Sequence, residues 1–440
     1  MIKEKLQKIK SGELSAEDNI RGFISKIRAK NQDINAVLHL NEKAIDEAVE
    51  IDKKIKSGKT GKLAGLGIII KSNISVEGLI CNCASKTLEN YRGSFDATVV
   101  KKLKDEDAIV IGMANMDEFG CGASGENSAF GATRNPKAID RIPGGSSSGS
   151  AASVAIGFCD FALGTDTGGS VRNPASHCGI VGYKPSYGVV SRYGLIDLAM
   201  SLEQAGILTK DVEDAEMIFN IIKGKDENDA TSRVFSSGEV GKKIKIGIPE
   251  IKADKDIWKL VKDKINEVCN RNEWKREDIE INHIDLGIQT YYPINYVEFF
   301  SATRRFDGRK YGESIDEVGG EEVLRRILGG KEISKAEFAG KYYRRALKAK
   351  KIIEKEFEQA FKKYDLIILP TVPKLPHQMG QELDLEDYYN YDALTVLANL
   401  AEIPAISVPG LEINDIPVGI QIMAKKGNDE MLLKLAKEFE

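Results

Sequence analysis

The sequence predicts an α/β fold in which one sheet is shared by both halves of the chain. From Gly61 onward, short apolar runs of β character alternate with polar or helical stretches. Near the end, three further runs, Leu366 to Leu369, Ala405 to Val408 and Val418 to Met423, stand between prolines and glycines and carry no long helix to complete a separate domain. With 440 residues, 42% hydrophobic and 30% charged, the chain can bury a large core, and disorder is excluded as its main state.

Taken in order, Ser15 followed by Asp18, with Ile20, Phe23, Ile24 and Ile27 at helical spacing, predicts a capped amphipathic helix. Residues 1–60 read as a helical N-terminal segment and residues 61–440 as a single α/β core. Leu66 to Ile70 and Ala108 to Ile111 are the first strands expected. Thr209 is placed to cap a helix whose face is Val212, Ala215, Ile218, Phe219 and Ile222, with Gly224 just past its end. Between Gly224 and Lys243 the chain turns polar and rich in Gly and Ser, which predicts a surface connection. A strand at Ile244 to Ile248 and a Lys/Glu-rich helical half follow, with Tyr343, Ala346, Leu347, Ile353, Phe357 and Phe361 on one face. No internal repeat is visible.

Lys and Arg number 63 and Asp and Glu 67, a net charge of −4 that argues against a strongly basic nucleic-acid binder acting alone. Cys81, Cys83, Cys121, Cys159, Cys178 and Cys269 are too sparse for a disulfide framework and suit a reducing compartment. The N-terminal lysines precede no apolar stretch, and no uncharged apolar run reaches about eighteen residues, so neither a signal peptide nor a membrane span is expected. These observations predict a cytoplasmic protein. His39, His177, His283 and His377 are isolated, and Cys81-x-Cys83 lacks a second pair, so no metal site is expected.

Chemistry concentrates between Pro143 and Gly188. Gly144 to Ser150 contains only Gly and Ser and by composition resembles a linker, yet it runs straight into the helix-forming stretch Ala151 to Ile156. The strand-like Phe161 to Asp166 and a second tight loop, Gly168-Gly169-Ser170, follow. Two such loops bracketing one helix and one strand suggest two walls of a site where backbone N–H groups converge on an anion. A phosphate loop is excluded because Ser150 and Ala151 stand where Lys and Ser/Thr are required. Gly120 to Gly125 has dinucleotide-loop spacing but no preceding buried strand. Gly145 to Gly149 fits a nucleophile elbow at Ser147, although the polar stretch before it is no strand. A serine nucleophile without a histidine needs another base, and a desolvated neutral lysine can serve. Lys71, at the end of an Ile-rich run, is the candidate.

The stretches GGSSSGSAAS and GTDTGGSVRNPAS, with GLGIIIKSNI upstream, resemble the amidase signature family. The resemblance implies a single mixed β-sheet enclosed by helices and a Ser-Ser-Lys arrangement. Ser170 would be the nucleophile, Ser146 the bridging serine after a cis peptide, and Lys71 the general base. Backbone N–H groups of Thr167, Gly168, Gly169 and Ser170 would form the oxyanion hole. Within that family, stretches such as VLRRILGG and YDALTVLANLAEIPAISVPG are most similar to the glutaminase subunits of tRNA-dependent amidotransferases. That likeness implies a glutamine pocket in which Arg326 meets the carboxylate, Asp392 the ammonium, and Tyr291 or Tyr292 lines the wall. It further implies a heterotrimer in which B and C subunits join this chain, the B subunit spends ATP and Mg²⁺ on the misacylated tRNA, and this chain needs no cofactor. Conversion of Glu-tRNA(Gln), Asp-tRNA(Asn) or both is compatible with it. The alternative is a free-standing amidase acting on other small amides. Ser148, Asn173 and Tyr183 depart from the family's usual residues.

Overall fold

The computed structural model describes residues 2–235, 241 and 243–440. Its strands are β1 (Val37–Leu40), β2 (Gly67–Lys71), β3 (Ile109–Ala114), β4 (Phe161–Asp166), β5 (Val181–Lys184), β6 (Gln204–Thr209), β7 (Lys245–Pro249), β8 (Lys275–Ile279), β9 (Leu366–Pro370), β10 (Ala405–Ile413) and β11 (Ile416–Ala424). They form one 11-stranded sheet in the order β1-β3-β2-β4-β6-β5-β10-β11-β9-β7-β8. The sheet is mixed: β2 runs parallel to β3 and β4, β7 parallel to β8 and β9, and the centre is antiparallel. The two halves of the chain meet where β5 pairs with β10.

Burial of both faces explains the unbroken apolar runs. Ile68 and Ile70 of β2 point into one core cluster and Ile69 into the other, as strand alternation requires. Ser15 caps the helix Ala16–Ile34, accepting from Asp18 N at 2.9 Å, and that helix packs Ile20, Phe23, Ile24 and Ile27 against the second cluster. β10 and β11 form a hairpin through Asn414 and Asp415, both at positive φ (51° and 64°), the pair of conformations that suits a two-residue turn.

Three details differ from the sequence reading. The first 60 residues are not wholly helical, because β1 within them pairs with β3 and forms an edge of the sheet. Thr209 ends β6, and the cap of the helix Val212–Ile222 is Asp211, whose carboxylate accepts from Asp214 N at 2.8 Å. Of the connection expected at 224–243, residues 236–240 and 242 lie outside the described residues. Its first part is tied down by Asp229, in a buried pair with Arg192 at 3.2 Å, and by Asp226, which accepts from Thr98 Oγ1 at 2.5 Å. Among the described residues no helix is long and apolar enough to cross a membrane.

Candidate active site

The parallel pairing of β2 with β4 sets Ile70 opposite Leu163, so the ends of the two strands carry Lys71 and Thr165 side by side. The linker-like loop 144–150 is buried, and its serines tie it to β4 and the second loop. Ser147 Oγ donates to Thr165 O (3.1 Å), Ser150 Oγ to Leu163 O (3.0 Å) and Ser147 N to Ser170 O (3.1 Å). The Ser147 hydroxyl therefore fastens the loop to β4, which removes it as an elbow nucleophile. Glycine is needed at 145, where a Cβ would lie 1.9 Å from Asp117 Oδ2. The Gly145–Ser146 peptide bond is cis.

Lys71 is wholly buried. Its Nζ lies 2.8 Å from Ser146 Oγ, 3.0 Å from Thr165 Oγ1 and 3.3 Å from Thr165 O, and Asn73 Nδ2 donates to the same Thr165 hydroxyl at 3.1 Å. Burial lowers the Lys71 pKa to about 8, against the opposing charges of Glu203, Asp117 and Asp166. Desolvation in turn pushes Asp117 up to about 6, even though the Asn127 and Gly125 N–H groups donate to its carboxylate.

The second loop is shaped by a buried ion pair. Arg172 donates through Nη2 to Asp166 Oδ1 (2.8 Å) and through Nε to Oδ2 (3.0 Å), with both side chains fully buried. Burial would raise the Asp166 carboxyl, but the Arg172 charge and hydrogen bonds hold it down to about 2. Asp166 Oδ1 also accepts from Gly169 N at 2.9 Å. This modifies the expected oxyanion hole: the Gly169 N–H is taken by the carboxylate that shapes the loop. The N–H groups of Thr167, Gly168 and Ser170 carry no hydrogen bond to any described residue. Ser170 is 7% exposed, and its hydroxyl likewise has no hydrogen-bond partner among the described residues. The Lys71–Ser146 contact is thus formed, whereas Ser146 and Ser170 are not hydrogen-bonded to each other. Thr167 is fixed from the other side by Glu203, whose Oε2 accepts from Thr167 Oγ1 at 2.8 Å.

Next to this loop lie the four expected pocket residues, drawn from three separate elements. Tyr291 and Tyr292 sit in the helix Gly287–Thr303, Arg326 in the helix Glu321–Ile333, and Asp392 in the 3₁₀ turn Asn390–Asp392. All four are buried. Tyr292 OH donates to Asp392 Oδ2 at 3.2 Å, and the Arg326 guanidinium lies 5.4 Å from the Tyr292 ring centroid. Arg326 Nη1 donates to Asn295 Oδ1 at 3.0 Å, while Asn295 Nδ2 donates to Tyr291 OH at 3.2 Å. Tyr291 packs so closely on the loop that a Cβ at Gly168 would fall 2.7 Å from its Cζ. Burial pushes Asp392 up to about 7, despite the Arg326 charge and the Tyr292 hydrogen bond. Thr165, Asn73, Asp117, Asp166, Arg172, Glu203 and Asn295 escaped the sequence reading. Only adjacency could have flagged them: Asn73 follows Lys71 closely, and Asp166 and Arg172 flank Ser170.

A groove of about 1320 Å³, lined among others by Ile251, Glu280, Ile284, Tyr389 and Leu397, does not include Lys71, Ser146 or Ser170. No group of His, Cys, Asp and Glu side chains among the described residues is arranged to hold a metal ion.

A family model described as Amidase matches residues 18–433. The chain belongs to the amidase family. One relative, the A subunit of glutamyl-tRNA(Gln) amidotransferase from Methanothermobacter thermautotrophicus, is 51% identical over 446 residues, covering 99% of this chain and 98% of the relative. The protein of the same name from Methanocaldococcus jannaschii is 50% identical over 96% of this chain and 98% of the relative. Among solved structures, the A subunit of glutamyl-tRNA(Gln) amidotransferase from Thermotoga maritima matches with a TM-score of 0.82 at 38% identity, covering 97% of this chain and 91% of that one. A 6-aminohexanoate cyclic dimer hydrolase matches with a TM-score of 0.88 at 25% identity, covering 100% of this chain and 96% of that one. The mixed sheet expected from the sequence is the fold these proteins share.

Proposed function

We propose that this amidase is the glutamine-hydrolysing A subunit of a tRNA-dependent amidotransferase, with Glu-tRNA(Gln) as acceptor, the substrate that the names of its relatives carry. The observation that carries the chemistry is the surrounding of the Lys71 amine. A neutral amine has two N–H groups and one lone pair. Thr165 O and Thr165 Oγ1 accept the two N–H groups, which leaves the lone pair for the Ser146 hydroxyl 2.8 Å away. Lys71 is thereby the base, Ser146 the proton relay and Ser170 the nucleophile.

Ser170 Oγ attacks the glutamine side-chain carbonyl as its proton passes through Ser146 to Lys71. The N–H groups of Thr167, Gly168 and Ser170 face the developing oxyanion. Losing one such donor typically costs about 3 to 4 kcal/mol. The proton returns along the relay to the leaving ammonia, and water then cleaves the acyl-enzyme to release glutamate. Arg326 meets the substrate carboxylate and Asp392 its ammonium, with Tyr291 and Tyr292 as the wall. In this reading the first 60 residues brace a single catalytic core, the assembly is a cytoplasmic heterotrimer, the ammonia goes to a B subunit using ATP and Mg²⁺, and a C subunit joins the pair.

The test uses the complex that co-purifies with the full chain. Lys71→Ala and Ser146→Ala should each lower glutamine-dependent amidation on the order of 10²- to 10⁴-fold, as removal of a general base does, while ammonia-dependent amidation of Glu-tRNA(Gln) persists. Hydrolysis of other small amides at full rate by the isolated chain, with no amidation by any assembly, would instead assign it to the free-standing amidases.

A further inference from the structure

A zwitterionic substrate is selected only if its carboxylate meets a guanidinium held in one orientation, because a bidentate contact tolerates little rotation. Arg326 is held in that way by groups that do not themselves face the substrate. Glu322 lies one helical turn before it, and the two side chains form an ion pair that is 2% and 3% exposed. Glu322 Oε1 accepts from Arg326 Nε at 2.8 Å and from Tyr389 OH at 3.1 Å, and Arg325 pairs with Oε2. With Nε on Glu322 and one Nη1 hydrogen on Asn295, the second Nη1 hydrogen and both Nη2 hydrogens have no hydrogen-bond partner among the described residues, which leaves the end of the guanidinium to take a carboxylate. Tyr389 also reaches the second anchor. Its ring stacks on Tyr292 with centroids 3.8 Å apart at 18°, and the Tyr292 hydroxyl is the donor to Asp392.

We infer that Glu322, with Tyr389, is a positioning residue that holds the Arg326 guanidinium end-on to the substrate carboxylate and so selects a side-chain amide borne by an α-amino acid over a plain amide. The inference rests on the glutamine-hydrolysing reading above. Glu322 makes no contact with the reacting carbonyl; it acts through Arg326. Its negative charge also balances the buried guanidinium, with which it forms the ion pair.

Two substrates separate this role from a merely structural one: glutamine, and 4-aminobutanamide, which keeps the amide and the ammonium but lacks the carboxylate. In the co-purified complex, Glu322→Ala should raise KM for glutamine on the order of 10-fold or more, as loss of one buried hydrogen-bonded partner does, with kcat little changed. kcat/KM for 4-aminobutanamide should stay as in the wild type. Glu322→Gln, which retains an acceptor for Nε, should recover part of the loss. Should Glu322→Ala fail to fold, Tyr389→Phe removes a single hydroxyl, keeps the stacked ring and should raise KM for glutamine severalfold. In an Arg326→Ala background neither substitution should add to the defect. An unaltered KM for glutamine in Tyr389→Phe and Glu322→Gln, or equal losses on both substrates, would overturn the positioning role while leaving glutamine hydrolysis standing. A wild-type complex that does not hydrolyse glutamine would overturn both.

Discussion

In the proposed relay, Lys71 has to be buried and uncharged at the same pH. Its amine reaches that state because desolvation outweighs the nearby carboxylates Glu203, Asp117 and Asp166, which leaves its pKa at about 8. Only the free base accepts the Ser146 proton, so activity is absent when the ammonium dominates and appears as pH rises through the pKa. We therefore expect kcat/KM for glutamine to climb through an apparent pKa near about 8, a quantity that reports the free enzyme. A profile flat between roughly pH 6.5 and 9.5 would remove Lys71 as the base. In the proposed pocket Asp392 has the same sign for binding: burial raises it to about 7, so a carboxylate able to meet the substrate ammonium forms only as pH rises through that value. KM for glutamine should fall over the same interval, and a KM that rises there would take Asp392 out of the ammonium contact.

At the level of elements, the site is two loops held against two strand ends, two helices and a 3₁₀ turn. The second loop keeps its course because Asp166 receives Arg172, Gly169 N and Val171 N at once, and Arg172 continues to Thr395 O at 2.8 Å and Asn399 Oδ1 at 2.6 Å. Arg172→Met keeps bulk but leaves Asp166 buried without its counter-charge. It should cost about 3 to 5 kcal/mol of stability, read as a lowered melting temperature; an unshifted one would show that the pair does not hold the loop. Gly168→Ala probes the opposite wall. Its added carbon would sit 2.7 Å from Tyr291 Cζ, so loop and helix must part. A displacement of that kind at the oxyanion donors should lower kcat/KM on the order of 10²-fold without a matching loss of melting temperature, whereas unchanged kinetics would place Gly168 outside the hole.

Across the whole molecule, the sheet is continuous through the pairing of β5 with β10, and the two sides of the site come from opposite halves: Lys71, Ser146 and Ser170 before that junction, Arg326 and Asp392 after it. Residues 1–223 and 244–440 expressed apart should each lack a cooperative unfolding transition, because each would expose a central strand and half a core. A sharp melt from either fragment alone would show two independent domains. The Ile-rich runs, the capped helix at Ser15 and the two glycine-serine loops were legible in the chain itself, since local propensity and periodicity are written in neighbouring residues. Lys71, Ser146 and Ser170 were legible through the motif in which they stand. The strand character of Val37–Leu40 was not, because so short a segment becomes a strand only through its partner β3. Nor was the capture of the Gly169 N–H by Asp166, or the clasp of Glu322 on Arg326 and Tyr389: such contacts depend on which side chains desolvation brings together from distant parts of the chain. The sequence by itself determined most of the elements and the motif in which Lys71, Ser146 and Ser170 stand, which are local properties. The tertiary structure alone decided how far burial lowers the Lys71 amine and which N–H groups stay free, because burial and hydrogen-bond saturation exist only once the chain is packed.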